Sequence, residues 1–210
     1  MSKAGNKIAW FFFAFFAIGV SLYPILYGYL AYIGVDEAIR SRKTAELLAN
    51  VFWNTGFYTH ISFGGIALLV GWLQFSKRFR NANLKRHRLI GKIYVIAVLI
   101  GGLSGLYIAF YATGGISAQL GFGSLAIIWL YTTSMAYKTI KNGDVQKHEV
   151  YMIYSYAACF AAVTLRIWLP MLTAFFGDFI PAYRIVAWLC WVPNIIFAYF
   201  WVKRKELNLG

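Results

Sequence analysis

The chain has 210 residues, of which 60% are hydrophobic and only 13% charged, and its mean hydropathy is +0.61. A soluble domain carries about twice that share of charge, so the composition excludes an ordinary water-soluble enzyme or binding module. Net charge is +13. In a soluble chain that would suggest a nucleic-acid partner, but here the basic residues lie in short segments between apolar blocks, as in membrane proteins, and no nucleic acid is expected.

The apolar residues fall into six blocks, each close to the 20 or so residues that cross a bilayer as a helix. The fold class is therefore all-α, a polytopic transmembrane bundle forming a single domain over 1–210. The first block, 8–33, follows a basic start. It exceeds the about 7–15 residues of a cleavable signal core and reads as a retained span bent near Pro24, which has no N–H to give the helix. The loop 34–50 is the longest connection, with a short interfacial helix expected over 36–40. The second and third spans are read at 51–75 and 89–111. The fourth, 120–137, is the shortest, and the fifth and sixth follow at 150–171 and 185–202. Trp10, Trp53, Trp72, Trp168, Trp188 and Trp201 lie near block ends, where an interfacial aromatic belt would place them.

The orientation follows from Lys and Arg. Lys3, Lys7, Lys77, Arg78, Arg80, Lys85, Arg86, Arg88, Lys92, Lys138, Lys141, Lys147, Lys203, Arg204 and Lys205 fall on one side; Arg40, Arg42, Lys43 and Arg184 fall on the other. That bias predicts both termini in the cytoplasm. Cys159 and Cys190 lie inside apolar blocks without metal or disulfide spacing and read as small buried thiols.

Ionisable residues inside a span are costly and are functional candidates for that reason. Four qualify. His60 lies about 14 Å below the outer surface at helical rise. His87 opens the third block and His148 the fifth. Arg166 shares the fifth block with His148, near its outer end, where it either snorkels to the surface or holds an anionic group. Helical spacing gives each of them neighbours. His60, Gly64, Ala67, Gly71 and Gln74 share one face of the second span. His87, Gly91, Tyr94, Val98, Gly101 and Gly105 share one face of the third. His148, Met152, Ser155, Cys159, Ala162 and Arg166 form a stripe along the fifth, about 27 Å long. The glycine faces are open to two readings, close helix packing or room for a flat cofactor. No acidic residue falls within a block, and no HExxH, GxSxG or P-loop motif is present, so no catalytic residue is assigned. The first and sixth spans carry no comparable motif and read as peripheral.

The strings "HISFGGIALLVGWLQF", "KRHRLIGKIYVIAVLIGGLSGLYIAF" and "HEVYMIYSYAACFAAVTLRIWLPML" resemble the bacterial predicted membrane-protein family called domain of unknown function 2306, over 60–171. The resemblance implies a bacterial cytoplasmic (inner) membrane location and draws attention to His60, His87, His148 and Arg166, and it implies no activity. A more distant analogy is to cytochrome b561-like bundles, in which histidines on the third and fifth helices hold one haem. His87 and His148 match that pair, while the fourth span has no histidine to complete a second.

Three functional expectations follow. The first is a membrane electron-transfer protein holding haem b, or another metal, through His87 and His148 near the cytoplasmic face, with His60, Arg166, Gly64, Gln74, Gly91, Tyr94 and Met152 as further cofactor-site residues, and a quinone or a redox protein as partner. The second is a cofactor-free transporter of small molecules or lipids with a polar path between His148 and Arg166. The third is a scaffold or assembly subunit of a membrane complex.

Overall fold

The computed structural model describes residues 3–33 and 42–207. Among these residues the regular structure is helical throughout. Six helical segments are long and apolar enough to cross a membrane: Lys7–Leu30, Val51–Phe75, Leu84–Ala109, Ile116–Lys141, Val145–Phe176 and Phe179–Arg204. Six crossings bring both described ends of the chain to one face, called here the terminal face; the opposite one is the far face. The helix expected over 36–40 lies outside the described residues. The adjoining α3, Ala45–Ala49, lies along the described part of that connection.

The first span consists of α1 (Lys3–Ser21) and α2 (Tyr23–Tyr32). They part at Leu22, two residues before Pro24, which cannot donate to the carbonyl one turn back. The second span, α4 (Val51–Gly71), starts on an Asn50 side chain that accepts the Trp53 N–H and tightens into a 3₁₀ turn at Trp72–Phe75. A short basic helix, α5 (Lys77–Ala82), lies on the terminal face. The third span, α6, runs Leu84–Ala109 and is capped by Asn83, so it begins five residues earlier than hydropathy suggests. Lys85, Arg86 and Arg88 are exposed on its first turns, where water solvates them and helical backbone costs nothing. The fourth span, α7 (Ile116–Lys141), has 26 residues. It is as long as the third and not the shortest; Gly and Thr dilute its hydropathy without interrupting the helix.

The fifth and sixth spans are each broken in two. The fifth is α8 (Val145–Cys159) and α9 (Ala161–Phe176); the sixth is α10 (Phe179–Leu189) and α11 (Val192–Arg204), with Pro193 at the start of the last piece. Gly177, at φ +66°, closes the hairpin between them in the left-handed conformation that suits glycine. The breaks lie side by side and are cross-bonded. Asn194 Nδ2 donates to the carbonyls of Ala157 and Cys190 and to Thr164 Oγ1, and the Thr164 hydroxyl donates to the Cys190 carbonyl. Carbonyls loosened by a break inside a bilayer must be satisfied by protein, and these side chains do it. The fifth span is thus longer than 150–171, and Glu149 lies within it, on the terminal face, where it accepts from Lys205 Nζ at 2.8 Å.

The centre of the bundle is tied by hydroxyls. Thr133 Oγ1 donates to the Trp129 carbonyl one turn back at 2.7 Å, so its single proton is committed. It therefore accepts from Ser155 Oγ at 2.6 Å, Ser155 accepts from Tyr94 OH at 2.7 Å, and Tyr94 accepts from Trp129 Nε1 at 3.5 Å. The circuit begins and ends on Trp129 and joins the third, fourth and fifth spans. Tyr156 OH donates to the Leu68 carbonyl at 3.0 Å and adds the second span. Gly71 makes room for this layer: a methyl there would fall 2.9 Å from the Tyr94 ring and would overlap Tyr156.

Tyr94 is 0% exposed, and its loss leaves two buried partners short of a bond. Tyr94→Phe is expected to lower stability by about 1–2 kcal/mol, read as a lower midpoint of thermal unfolding in detergent. Tyr58→Phe, at an exposed ring, is expected to leave the midpoint unchanged.

Candidate functional site

Above the hydroxyl layer, toward the far face, lies a chamber of ≈ 820 Å³. Pockets for small organic molecules occupy about 300–1,000 Å³. Its wall is drawn from all six spans. Tyr23 and Tyr27 come from the first, Trp53, Phe57, His60 and Gly64 from the second, Gly102 and Gly105 from the third, Phe122 and Trp129 from the fourth, Cys159 and Arg166 from the fifth, and Tyr183 and Cys190 from the sixth. The wall is mostly aromatic and aliphatic. Its charged side chains among the described residues are Arg42, Lys43 and Arg166; no Asp or Glu lines it there.

Arg166 stands ten residues before the end of α9, deeper than a block ending at 171 implies, and it does not snorkel. Its Nη1 donates to the Ala162 carbonyl at 2.8 Å, and its guanidinium carbon lies 4.0 Å from the centre of the Tyr23 ring. Its Nε is buried without a hydrogen-bond partner, and among the described residues no carboxylate stands within ion-pairing distance. A cation is thus held deep in the bundle by one carbonyl and an aromatic face, with donor capacity left over.

His60 lines the same chamber. Its Nδ1 lies 2.8 Å from the Gly101 carbonyl. A carbonyl only accepts, so the proton sits on Nδ1. Gly105 is what allows the ring to lie there, because a Cβ at that position would come within 2.5 Å of Nδ1. Gly101 lets the second and third spans touch, its would-be Cβ lying 3.1 Å from the Gly64 nitrogen, while Gly64 itself has open space on its side-chain face. Gly101 and Gly105 thus serve close packing, while Gly64 opens into the chamber.

Toward the far face the wall includes Arg42, Lys43 and Thr113. Thr113 Oγ1 donates to the Arg42 carbonyl at 3.3 Å, and Lys43 Nζ donates to the Tyr111 carbonyl at 2.6 Å. The Arg42 guanidinium lies 3.8 Å over the Phe179 ring. Burial lowers the Lys43 ammonium below the usual lysine range. Arg184 Nε donates to the Gly114 carbonyl at 2.8 Å and fixes the sixth span to the same rim.

The other candidates lie toward the terminal face. His148 Nδ1 is 2.8 Å from the Ala136 carbonyl, which holds the ring and leaves Nε2 free of that bond. His87 Nδ1 and Gln74 Nε2 are buried without partners, and Gly91 lies beside the Gln74 amide oxygen. His87 and His148 each sit on the first turn of a span, α6 and α8, on the terminal side. Among the described residues no three His, Cys, Asp or Glu side chains are grouped to share a metal ion. Tyr94 belongs to the hydroxyl circuit and Met152 to the apolar core around it. The structure thus separates the candidates into a far-side pair, His60 and Arg166, and a terminal-side pair, His87 and His148.

Sequence reasoning missed Tyr23, Tyr27, Trp129 and Tyr183 as chamber residues. The first and sixth spans are wall and not periphery. The available signal was the Tyr23–Tyr27 pair, one turn apart in the middle of an apolar block.

No curated protein and no solved structure matches the chain. A family model described as "Predicted membrane protein (DUF2306)" matches residues 57–202, from the second span through the sixth and so beyond the 60–171 segment whose strings carry the resemblance. With that match covering more than half its length, the chain belongs to this family of multi-pass membrane proteins.

Proposed function

We propose that the protein binds a small amphipathic anion in the far-side chamber, as a carrier or handler of such molecules. The observation that supports this reading is Arg166, a partly buried cation without a carboxylate partner among the described residues, set in a mostly aromatic and aliphatic wall. A ligand with a carboxylate or phosphate would supply the missing charge and occupy the idle donors, and its apolar body would suit the rings. On the charge bias of the loops the terminal face would lie in the cytoplasm, so the far-face rim with Arg42 and Lys43 would face outward and attract anions from that side.

This reading is tested with 2-naphthoate and its methyl ester. Trp53 and Trp129 line the chamber, so binding is expected to change tryptophan fluorescence. Arg166→Gln is expected to weaken naphthoate binding by about tenfold or more, the usual worth of a hydrogen bond to a charged group, and to leave the ester unaffected. Equal binding of acid and ester to the unaltered protein would overturn it.

A second reading is favoured by His148. An imidazole that gives Nδ1–H to a carbonyl is oriented as metal-ligating histidines are, with Nε2 available, and His87 Nδ1 is a second partnerless nitrogen on the terminal side. Haem b or a single metal ion would be held there by His87 and His148, each on the first turn of its helix at the basic terminal face. Bound there, haem would supply one-electron chemistry with a quinone or a redox protein. Protein from haem-replete cells is then expected to show a Soret band that His87→Ala and His148→Ala each abolish and His60→Ala retains. A colourless, metal-free preparation would overturn it.

A further inference from the structure

The tautomer of His60 says more about the chamber's ligand than the charge of Arg166 does. The Gly101 carbonyl at 2.8 Å fixes the proton on Nδ1. In the uncharged ring Nε2 is then a bare lone pair, able only to accept. Among the described residues it has no hydrogen-bond partner, and His60 is one of the residues that line the chamber. Turning the ring over would give up the Gly101 bond, and the backbone at Gly105 lies too close for the ring to shift toward it. The chamber therefore presents a rigid acceptor on one side and a cation on another. A molecule that fills the space without a donor strips Nε2 of water and leaves it unpaired, and that is the mismatch by which a polar site rejects an analogue lacking one hydroxyl.

We infer that the chamber selects anions that also carry a hydroxyl or N–H donor, with Arg166 taking the anionic group and His60 Nε2 the donor, so that His60 is its specificity-determining residue. The inference rests on the chamber being a binding site for amphipathic anions and adds a second polar contact to it.

Two pairs of probes test it, one rigid and one flexible: 2-naphthoate against 6-hydroxy-2-naphthoate, and dodecanoate against 12-hydroxydodecanoate, titrated by tryptophan fluorescence. The expected result is that a hydroxylated acid binds about tenfold tighter than its parent. His60→Leu is expected to abolish that preference while the parent acid still binds, and Arg166→Gln to weaken both members of the pair and keep the preference. Gly105→Ala, which pushes the ring off the third span, is expected to act as His60→Leu does and serves if the latter fails to fold. Nitrogen-15 NMR of the three histidines gives a check without ligand, with His60 expected as the Nδ1–H form and its Nε2 resonance moving when a hydroxylated acid is added. Parent acids that bind as tightly as both hydroxylated ones, a preference that survives His60→Leu, or a His60 protonated on Nε2 alone would overturn the inference and leave the chamber reading standing. If none of the acids binds, both fall.

Discussion

The closed hydroxyl circuit through Trp129, Tyr94, Ser155 and Thr133 is the constraint on which the rest of this bundle depends. In a bilayer the hydrophobic effect does not hold helices to one another, because lipid tails are as apolar as the side chains they replace. Association rests on close packing and on polar groups that must find partners. Here four polar side chains use each other completely: each hydroxyl gives its one proton onward, and the last returns it to the backbone of the residue that began the sequence. Nothing in the circuit is left to attract water, and nothing can be removed without leaving a neighbour unpaired. It fixes the third, fourth and fifth spans at one level, and with Tyr156 on the Leu68 carbonyl it fixes the second.

That layer also divides the molecule electrostatically. Below it the basic residues of the loops sit in water, and Lys147 and Lys205 have carboxylates at hand. Above it Arg166 is enclosed by rings and aliphatic side chains, with a carbonyl and the Tyr23 face as its described partners. A cation so enclosed interacts far more strongly with an incoming anion than one in solvent does. The two histidine environments differ in the same sense: His60 lines a largely apolar chamber, whereas His87 and His148 sit on the first turns of helices at the basic terminal face.

Much of this was legible in the sequence, and the failures have physical causes. Six spans and their order follow from hydropathy, and the shared face of His60 and Gly64 follows from helical spacing; in the structure both line the chamber. The stripe on the fifth span splits as its residues do: Ser155 joins the circuit, while Cys159, Ala162 and Arg166 line the chamber. Boundaries failed where charge and helix coincide, as at Lys85–Arg88, because hydropathy reports solvation and not backbone conformation. Thr133 and Trp129 escaped notice because hydroxyl and indole groups are ordinary in membrane helices and gain meaning only from a partner some twenty or more residues away. Tyr23 and Tyr27 do share a face one turn apart, but only the fold shows that Arg166 lies over the first of them. The breaks at Phe160 and Trp191 carry a sequence signal only in Pro193; the side chains that secure them, Thr164 and Asn194, look like any polar residue in a span.

Those paired breaks have a mechanical consequence. A continuous helix is a rod: when the bilayer thins or thickens and one end tilts, the other must follow. The fifth and sixth spans are instead jointed at the same depth, and the joints are laced to each other by Asn194 and Thr164. A tilt imposed on the far-side hairpin of α9 and α10 would meet these joints before it reached α8 and α11. The chamber walls can thus accommodate the lipid around them while the hydroxyl layer beneath keeps its register.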